Sequence, residues 1–156
     1  MELNTEQILK ILPHQYPMLL IDRVVSLTPG KQGTAIKAVT FNEPFFEGHL
    51  PAHPILPAVY QIEMCAQLIN LIYLSIPGNE KKDLWYAKIS KAKFHRRVYP
   101  GCILHIYANK KAESERLAIF ETMLKVSEYC MVGGEEDLVF SGEIAMQLPE
   151  DLRSGI

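Results

Sequence analysis

Residues 45–75 decide the fold, and they read FFEGHLPAHPILPAVYQIEMCAQLINLIYLS. The stretch opens with a short proline-rich loop and continues as an apolar run that is not interrupted until Pro77 and Gly78. Pro57 suits the first turn of a helix, and the Pro77–Gly78 pair suits its end. Because the run is apolar on nearly every face, it predicts a buried helix of about five turns.

One carboxylate lies inside this predicted helix. Glu63 is the only formally charged residue between His53 and Glu80. A buried carboxylate costs free energy unless it is paired or used, so Glu63 is either a structural group with a buried partner or a functional one. The loop before the helix carries an imidazole, that of His49, which by itself suits either a loop hydrogen bond or catalysis.

Length and composition describe a single soluble domain. The chain has 156 residues, of which 48% are hydrophobic, and its formal net charge is −2. A chain of this size forms one domain around one core, here assigned to residues 1–156. A charge so close to zero does not favour nucleic acid or an anionic membrane as a partner.

The cysteines and the apolar residues 54–76 indicate the cellular compartment of the protein. Cys65, Cys102 and Cys130 lie far apart and form no CxxC or metal-ligand spacing, which favours reduced thiols in a cytoplasmic protein. The N-terminal residues lack the features of a signal peptide. Residues 54–76 are long enough to cross a bilayer, but Glu63 and three amide side chains at the centre make a membrane span unfavourable.

The remainder of the chain is strand-like. Residues 5–12 predict one or two helical turns that end at Pro13. Apolar and polar side chains otherwise alternate with a period close to two, which is typical of strands. These stretches are residues 18–25, 33–39, 84–94, 102–112, 116–132 and 137–148, separated by turn signals at 28–30, 99–101, 113–115 and 133–134.

One long buried helix with five or six antiparallel strands predicts an α+β fold, in which a curved antiparallel sheet wraps around a central helix. Within residues 116–132, for example, one face of the strand carries Phe120, Thr122, Leu124 and Val126. A single sheet leaves an edge strand open, so pairing between two copies of the chain is expected to cover that edge.

Three blocks of sequence resemble a known family. They are LPHQYPMLLIDRV (12–24), NEPFFEGH (42–49) with PAHPILP (51–57), and KFHR (93–96) followed by Pro100 and Gly101. Together they resemble the FabZ-type 3-hydroxyacyl-[acyl-carrier-protein] dehydratases over residues 12–146. The resemblance implies the hot-dog fold, assembly as homodimers or trimers of dimers, and the removal of water from a 3-hydroxyacyl thioester.

The resemblance also implies the site. His49 and Glu63 match the catalytic positions of the family, with His49 as the base for the C2 proton and Glu63 as the acid for the departing hydroxyl. The N–H of Ala58, at the N-terminus of the predicted helix, is placed to polarise the thioester carbonyl. The family assembles this site from the histidine loop of one subunit and the helix carboxylate of its partner.

Further residues are assigned around this site. Tyr60, Met64 and Gln67 are expected to be wall or core residues of an acyl tunnel, and His53 to shape the loop. A basic set is either a solvated strand face or a dock for an acidic acyl carrier protein, and it comprises Lys91, Lys93, Arg96 and Arg97. No metal, nucleotide or flavin signature stands in the sequence, and the reaction requires no cofactor.

The chain departs from the family pattern at several positions. Glycine is usual where this chain has Ala52 and Ala58, and other residues are usual where it has His95, Arg97 and Cys102. Tyr60 stands where a smaller aliphatic residue is usual, so its ring is expected to limit the length or shape of the acyl chain. These departures predict a divergent member that acts on a specialised acyl chain.

Two other functions remain open from the sequence. The first is a hot-dog acyl thioesterase, which would use a helix carboxylate but would not require His49. The second is a non-catalytic subunit that binds an acyl carrier protein, which would not require both His49 and Glu63. The presence of both residues in the matching blocks favours the dehydratase.

Overall fold

The computed structural model describes residues 1–127, 130 and 137–148, and this part of the chain forms three helices and one sheet. The helices are α1 (Thr5–Ile11), α2 (Phe45–Gly48) and α3 (Ala58–Leu74). The strands are β1 (Arg23–Thr28), β2 (Gln32–Ala38), β3 (Trp85–Phe94), β4 (Ile103–Glu113), β5 (Leu117–Val126) and β6 (Leu138–Gln147).

The six strands form one antiparallel sheet in the order β1-β2-β4-β5-β6-β3. Helix α3 packs against β2, β4 and β5, in the middle of this order. Every residue of α3 from Met64 to Leu74 is buried, because the sheet covers one side of the helix while α1 and residues 18–20 pack against it as well. This arrangement confirms the predicted α+β hot-dog fold.

The two ends of α3 lie close to the prolines that predicted them, but each differs by a few residues from the prediction. Pro57 precedes the helix as its cap and does not lie in the first turn. The helix ends at Leu74, three residues before Pro77, where Ser75 N–H donates to Leu71 O at 3.1 Å. The turn between β1 and β2 closes the same end, since Gly30 N–H donates to Ile72 O at 2.8 Å.

Two local expectations differ from the structure. The strand predicted at 18–25 begins only at Arg23, because Met18 O and Leu20 N make their hydrogen bonds to the side chain of Gln67. The loop before His49 contains a single helical turn, α2, which the sequence did not indicate. The period of two in β5 is confirmed, whereas the turn predicted at 133–134 lies outside the described residues.

The two edges of the sheet differ in how they are covered. The N-terminal residues lie along β1, where Leu3 forms a bridge with Val24 through two hydrogen bonds of 3.0 Å. Among the described residues, strand β3 pairs only with β6, and it is exposed along most of its length. Trp85 and Ile89 on this strand are 65% and 42% exposed. In the portion of the chain described, no helix is long and apolar enough to cross a membrane.

Candidate active site

Glu63 lies on α3 and accepts hydrogen bonds from three side chains. Gln67 Nε2, one turn further along the helix, donates to Oε1 at 2.9 Å. Tyr86 Oη, on strand β3, donates to Oε2 at 2.9 Å. His14 Nε2 lies 3.3 Å from Oε1. The carboxylate that the sequence left without a partner therefore has three, and they come from three separate parts of the chain.

These contacts determine the ionisation of Glu63. Burial is the largest influence and would raise the pKa of the carboxyl, but the hydrogen bonds from His14, Gln67 and Tyr86 together hold that pKa below its ordinary value. Burial, and then the neighbouring Glu63 carboxylate, raise the pKa of the Tyr86 phenol. At neutral pH the free protomer therefore pairs a carboxylate with a phenol that keeps its proton.

Gln67 anchors this group to the segment before β1. Its Oε1 accepts from Leu20 N–H at 2.9 Å, and its Nε2 also donates to Met18 O at 2.7 Å. All the hydrogen-bonding atoms of the buried amide are therefore used. The structure places Gln67 and Met64 in the core of the protomer, with neither side chain exposed, and a direct contact of either with substrate stays a prediction.

His14 and Tyr86 are the two site residues that the sequence analysis did not single out. His14 stands in the first family-like block, next to Pro13, so its place in that block was an available signal. Its Nδ1 is buried and has no hydrogen-bond partner among the residues described, which favours the tautomer with the proton on Nε2, facing Glu63. No local pattern marked Tyr86, because it is one aromatic residue in an ordinary strand.

His49 is oriented by its own loop. It caps α2, with its N–H donating to Phe45 O at 3.0 Å, and its Nδ1 lies 3.0 Å from the carbonyl oxygen of Ile55. Because a carbonyl can only accept, Nδ1 carries the proton, and Nε2, which has no hydrogen-bond partner in the described part of the chain, is left as an acceptor. A half-buried imidazole in this state is equipped to take a proton.

His49 and Glu63 do not bond to each other within one protomer. In the described part of the chain, the side chains that contact the Glu63 carboxylate are His14, Gln67 and Tyr86. His49 instead bonds to Ile55 in its own loop. The two residues matched to the catalytic positions of the family are therefore each positioned separately.

The first turn of α3 carries Ala58 and Tyr60. Ala58 is exposed, adopts no positive φ, and as the first helical residue has an N–H with no acceptor among the described residues. The ring of Tyr60 packs on Phe45, with centroids 4.8 Å apart, and so joins α3 to α2. The expected effect of Tyr60 on the acyl chain stays a prediction.

A buried lysine joins two of the family-like blocks. Lys37 Nζ lies 3.3 Å from Asp22 Oδ1 and also contacts the Glu43 carboxylate, and its side chain is only 6% exposed. Asp22 Oδ2 in turn accepts from Ala38 N–H at 2.7 Å. Lys37 therefore ties the segment ahead of α2, and with it the His49 loop, to the start of β1.

Two cavities lie near the remaining site residues. The larger, of about 700 Å³, is lined in part by His53, Ile55 and Arg97. The smaller, of about 300 Å³, is lined in part by Lys91 and Lys93. Arg96 lines neither cavity, and its Nη2 donates a long hydrogen bond of 3.5 Å to Cys130 O. The four cations that the sequence grouped together therefore do not line one common cavity.

Comparison with known proteins identifies the family of the chain. A family model described as a FabA-like domain matches residues 12–135. A 3-hydroxyacyl-[acyl-carrier-protein] dehydratase FabZ from Wolbachia is 45% identical over 82% of this chain and 90% of its own length. The enzyme of the same name from Alkaliphilus metalliredigens is 40% identical over 95% of each chain.

The chain belongs to the FabZ family. Among solved structures, the dehydratase heterocomplex ApeI:P from Xenorhabdus doucetiae has the same fold, with a TM-score of 0.70 and 18% identity over 91% of this chain and 90% of that one. A hypothetical thioesterase from Streptococcus pneumoniae has a TM-score of 0.59 and 11% identity over 80% of this chain and 83% of that one. The FabZ relatives identify the family. The fold alone does not, because it includes both a dehydratase and a hypothetical thioesterase.

Proposed function

We propose that this protein removes water from a (3R)-3-hydroxyacyl-[acyl-carrier-protein] to give the trans-2-enoyl thioester, in fatty-acid biosynthesis or a specialised acyl or polyketide pathway, in the cytoplasm. Its membership of the FabZ family carries the proposal. The structure holds an imidazole with an acceptor nitrogen at His49 and a half-buried carboxyl at Glu63, and this supports the proposal because dehydration needs both a base and an acid.

His49 acts as the base. Its Nε2 takes the C2 proton of the substrate, and the electron pair of that C–H bond moves onto the thioester as an enolate. Collapse of the enolate then forms the C2–C3 double bond as the C3–O bond breaks. The contact between Nδ1 and Ile55 O holds the ring in the required tautomer and stabilises the imidazolium that forms. The imidazolium then returns its proton to solvent, which restores the enzyme.

Glu63 acts as the acid and gives its proton to the departing hydroxyl, which leaves as water. The carboxyl is ionised in the free protomer, so it must gain a proton once the site is closed. Burial is already the largest influence on its pKa, and further covering by an acyl chain and a second protomer raises that pKa. The site therefore makes Glu63 an acid mainly in its closed, dry state.

The N-terminus of α3 stabilises the intermediate charge. Removal of the C2 proton places negative charge on the thioester oxygen. The unused N–H of Ala58 lies at the positive end of the α3 dipole, where a developing anion is favoured. Alanine retains the N–H that glycine would supply, and its φ is not positive, so a glycine conformation is not required there.

The active assembly is a homodimer with two composite sites, and a trimer of such dimers is the larger assembly that the family resemblance implies. Strand β3 supports the dimer, since no described strand pairs with its outer edge and it exposes Trp85, Tyr86 and Ile89 at 65%, 45% and 42%. Each site uses His49 of one protomer and Glu63 of its partner, in keeping with the separate positions of the two residues within one chain.

Acyl carrier protein is the proposed partner. Lys91 and Lys93 lie on β3, and Arg96 and Arg97 follow directly after it. Carrier proteins are acidic, so this local positive charge speeds and orients their approach even though the whole chain has a net charge of −2.

The proposal is tested by incubating the purified protein with 3-hydroxyacyl-carrier substrates of several chain lengths and measuring both enoyl product and free thiol. We expect enoyl product without thiol release. His49→Ala should lower kcat by at least ~100-fold, the usual contribution of a general base. His105→Ala is the matched control, because the His105 ring bonds to Ser127 Oγ away from the proposed site. Free thiol would indicate a thioesterase, and no reaction with any chain would indicate a non-catalytic binding subunit.

A further inference from the structure

The larger cavity adjoins the loop that carries His49. Its volume is about 700 Å³, within the usual range for a small-molecule or cofactor site. Its lining includes Ile55, and the carbonyl oxygen of this residue is the partner of His49 Nδ1 at 3.0 Å. Much of the remaining lining is apolar and includes Phe41, Leu50 and Tyr99. A ligand in this cavity would therefore have one end close to the catalytic imidazole.

Among the described residues that line the cavity, Arg97 is the formally charged one. Arg97 and His53 line it, and no carboxylate does. Across the residues that the structure describes, neither side chain has a hydrogen-bond or ion-pair partner. In the smaller cavity, by contrast, Lys91 and Lys111 bind Glu143 at 2.9 and 2.5 Å. An unpaired guanidinium beside an apolar cavity matches a ligand that joins an anionic group to an uncharged body.

We propose that Arg97, assisted by His53, binds the phosphate of a 4′-phosphopantetheine arm, whose pantetheine portion fills the cavity and whose thioester lies at His49. This inference rests on the proposed function, because the substrate of a carrier-dependent dehydratase is attached to such an arm. The planar guanidinium can hold two phosphate oxygens at once, which fixes the arm as well as attracting it. Carrier protein and coenzyme A share this arm, so the chemistry is common to both sources.

The first test measures binding without any reaction. Wild-type protein is titrated with 4′-phosphopantetheine and with pantetheine, which lacks the phosphate. We expect the phosphorylated compound to bind at least ~10-fold tighter, and Arg97→Gln to remove this preference. Arg97→Lys should keep part of this preference, since lysine retains the positive charge but lacks the paired N–H donors of a guanidinium. Arg23→Gln is the matched control, because Arg23 lies on the edge strand β1, is paired with Glu2 and does not line the cavity. Equal affinity of the wild type for both compounds, or an equal loss of both in Arg97→Gln, would overturn the proposal.

The second test separates the possible sources of the arm. The same 3-hydroxyacyl chain is presented on carrier protein, on coenzyme A and on pantetheine. Arg97→Gln should raise KM about 10-fold for the first two, leave the pantetheine substrate unchanged, and leave kcat unchanged for all three. An increase confined to the carrier-bound substrate would assign Arg97 to the carrier surface and overturn the phosphate site. If the wild type forms no enoyl product from any substrate, the proposed function fails, while the binding titration still decides the phosphate site.

Discussion

Glu63 shows how a single half-buried carboxyl depends on its neighbours. Its hydrogen-bond donors are His14 ahead of β1, Gln67 on its own helix and Tyr86 on β3. Each stabilises the ionised form, whereas burial favours the neutral one. Because the two influences oppose each other, the loss of one donor is expected to change the proton affinity of the group without disturbing the fold.

Tyr86→Phe tests this balance. The substitution removes the phenol that donates to Glu63 Oε2 at 2.9 Å but keeps the ring. The charged form then loses a donor, so the pKa of Glu63 should rise, and a larger fraction of the carboxyl should carry a proton at any given pH. Nuclear magnetic resonance of labelled glutamate carboxyls, followed from about pH 2 to 7, measures the change.

Tyr107→Phe on β4 is the control for this experiment, since none of the hydrogen bonds among the described residues uses the Tyr107 hydroxyl. The lowered pKa of Glu63 also affects the stability of the protein. With its folded pKa depressed, Glu63 stabilises the protein above the pKa of the unfolded chain, and this contribution is lost as pH falls through the folded pKa. In Tyr86→Phe, the stabilisation contributed by ionised Glu63 should be lost at a higher pH than in the wild type. An unchanged Glu63 titration in Tyr86→Phe would contradict the contact.

At the scale of elements, the two edge strands are not equivalent. The N-terminal segment covers part of β1, where the Met1 amino group donates to Leu27 O at 2.6 Å and Leu3 pairs with Val24. Strand β3 has no such cover in the described residues, and its side chains include exposed apolar groups. An uncovered strand edge favours pairing with another strand, so β3 is the edge expected to join two protomers.

A charge placed on β3 should therefore prevent assembly. Ile89→Lys brings two lysines close together across a two-fold interface, and like charges there are unfavourable. We expect the variant to sediment as a monomer and to lose at least ~10-fold in turnover, because a composite site needs both protomers, while its far-ultraviolet circular dichroism stays unchanged.

The matched control is Val25→Lys, on the opposite edge strand β1 and similarly exposed, at 37% compared with 42% for Ile89. It should sediment and react like the wild type. A dimer that survives Ile89→Lys but dissociates in Val25→Lys would place the interface at β1 instead.

For the whole molecule, the expected assembly determines where the chemistry takes place. Within one protomer, His49 bonds to Ile55 while Glu63 bonds to His14, Gln67 and Tyr86. A dimer related by a two-fold axis contains the same contact twice, so it would hold two sites, each with one residue from either chain. The activity of mixed dimers then follows from counting intact sites.

Mixing two inactive variants tests this count. In a dimer of His49→Ala and Glu63→Gln chains, one site receives both defects and the other receives none. Random co-refolding forms mixed dimers about half of the time, so about a quarter of wild-type activity should return. If each site were built from one chain, every site in a mixed dimer would carry one defect. Activity would then stay at the level of the two parents refolded separately.

Much of the fold could be predicted because its signals are local. The apolar run before Pro77 marks α3, and the period of two in residues 117–126 marks β5, since each pattern depends only on neighbouring residues. The boundaries were less secure. The strand predicted from residue 18 begins only at Arg23, because the side chain of Gln67, 49 residues from Met18, takes the hydrogen bonds of that segment.

The sequence by itself determined the family and the central helix with its prolines, and it predicted His49 and Glu63 as the catalytic pair, because these lie in contiguous blocks. Only the tertiary structure decided the surroundings of Glu63, since His14 and Tyr86 lie far from it along the chain and meet it through the packing of α3 against other elements. It also separated Arg97 from Lys91 and Lys93, placing them at different cavities. The physical reason is common to both cases: ionisation and ligand binding depend on which groups are close in space, and the order of residues does not specify that.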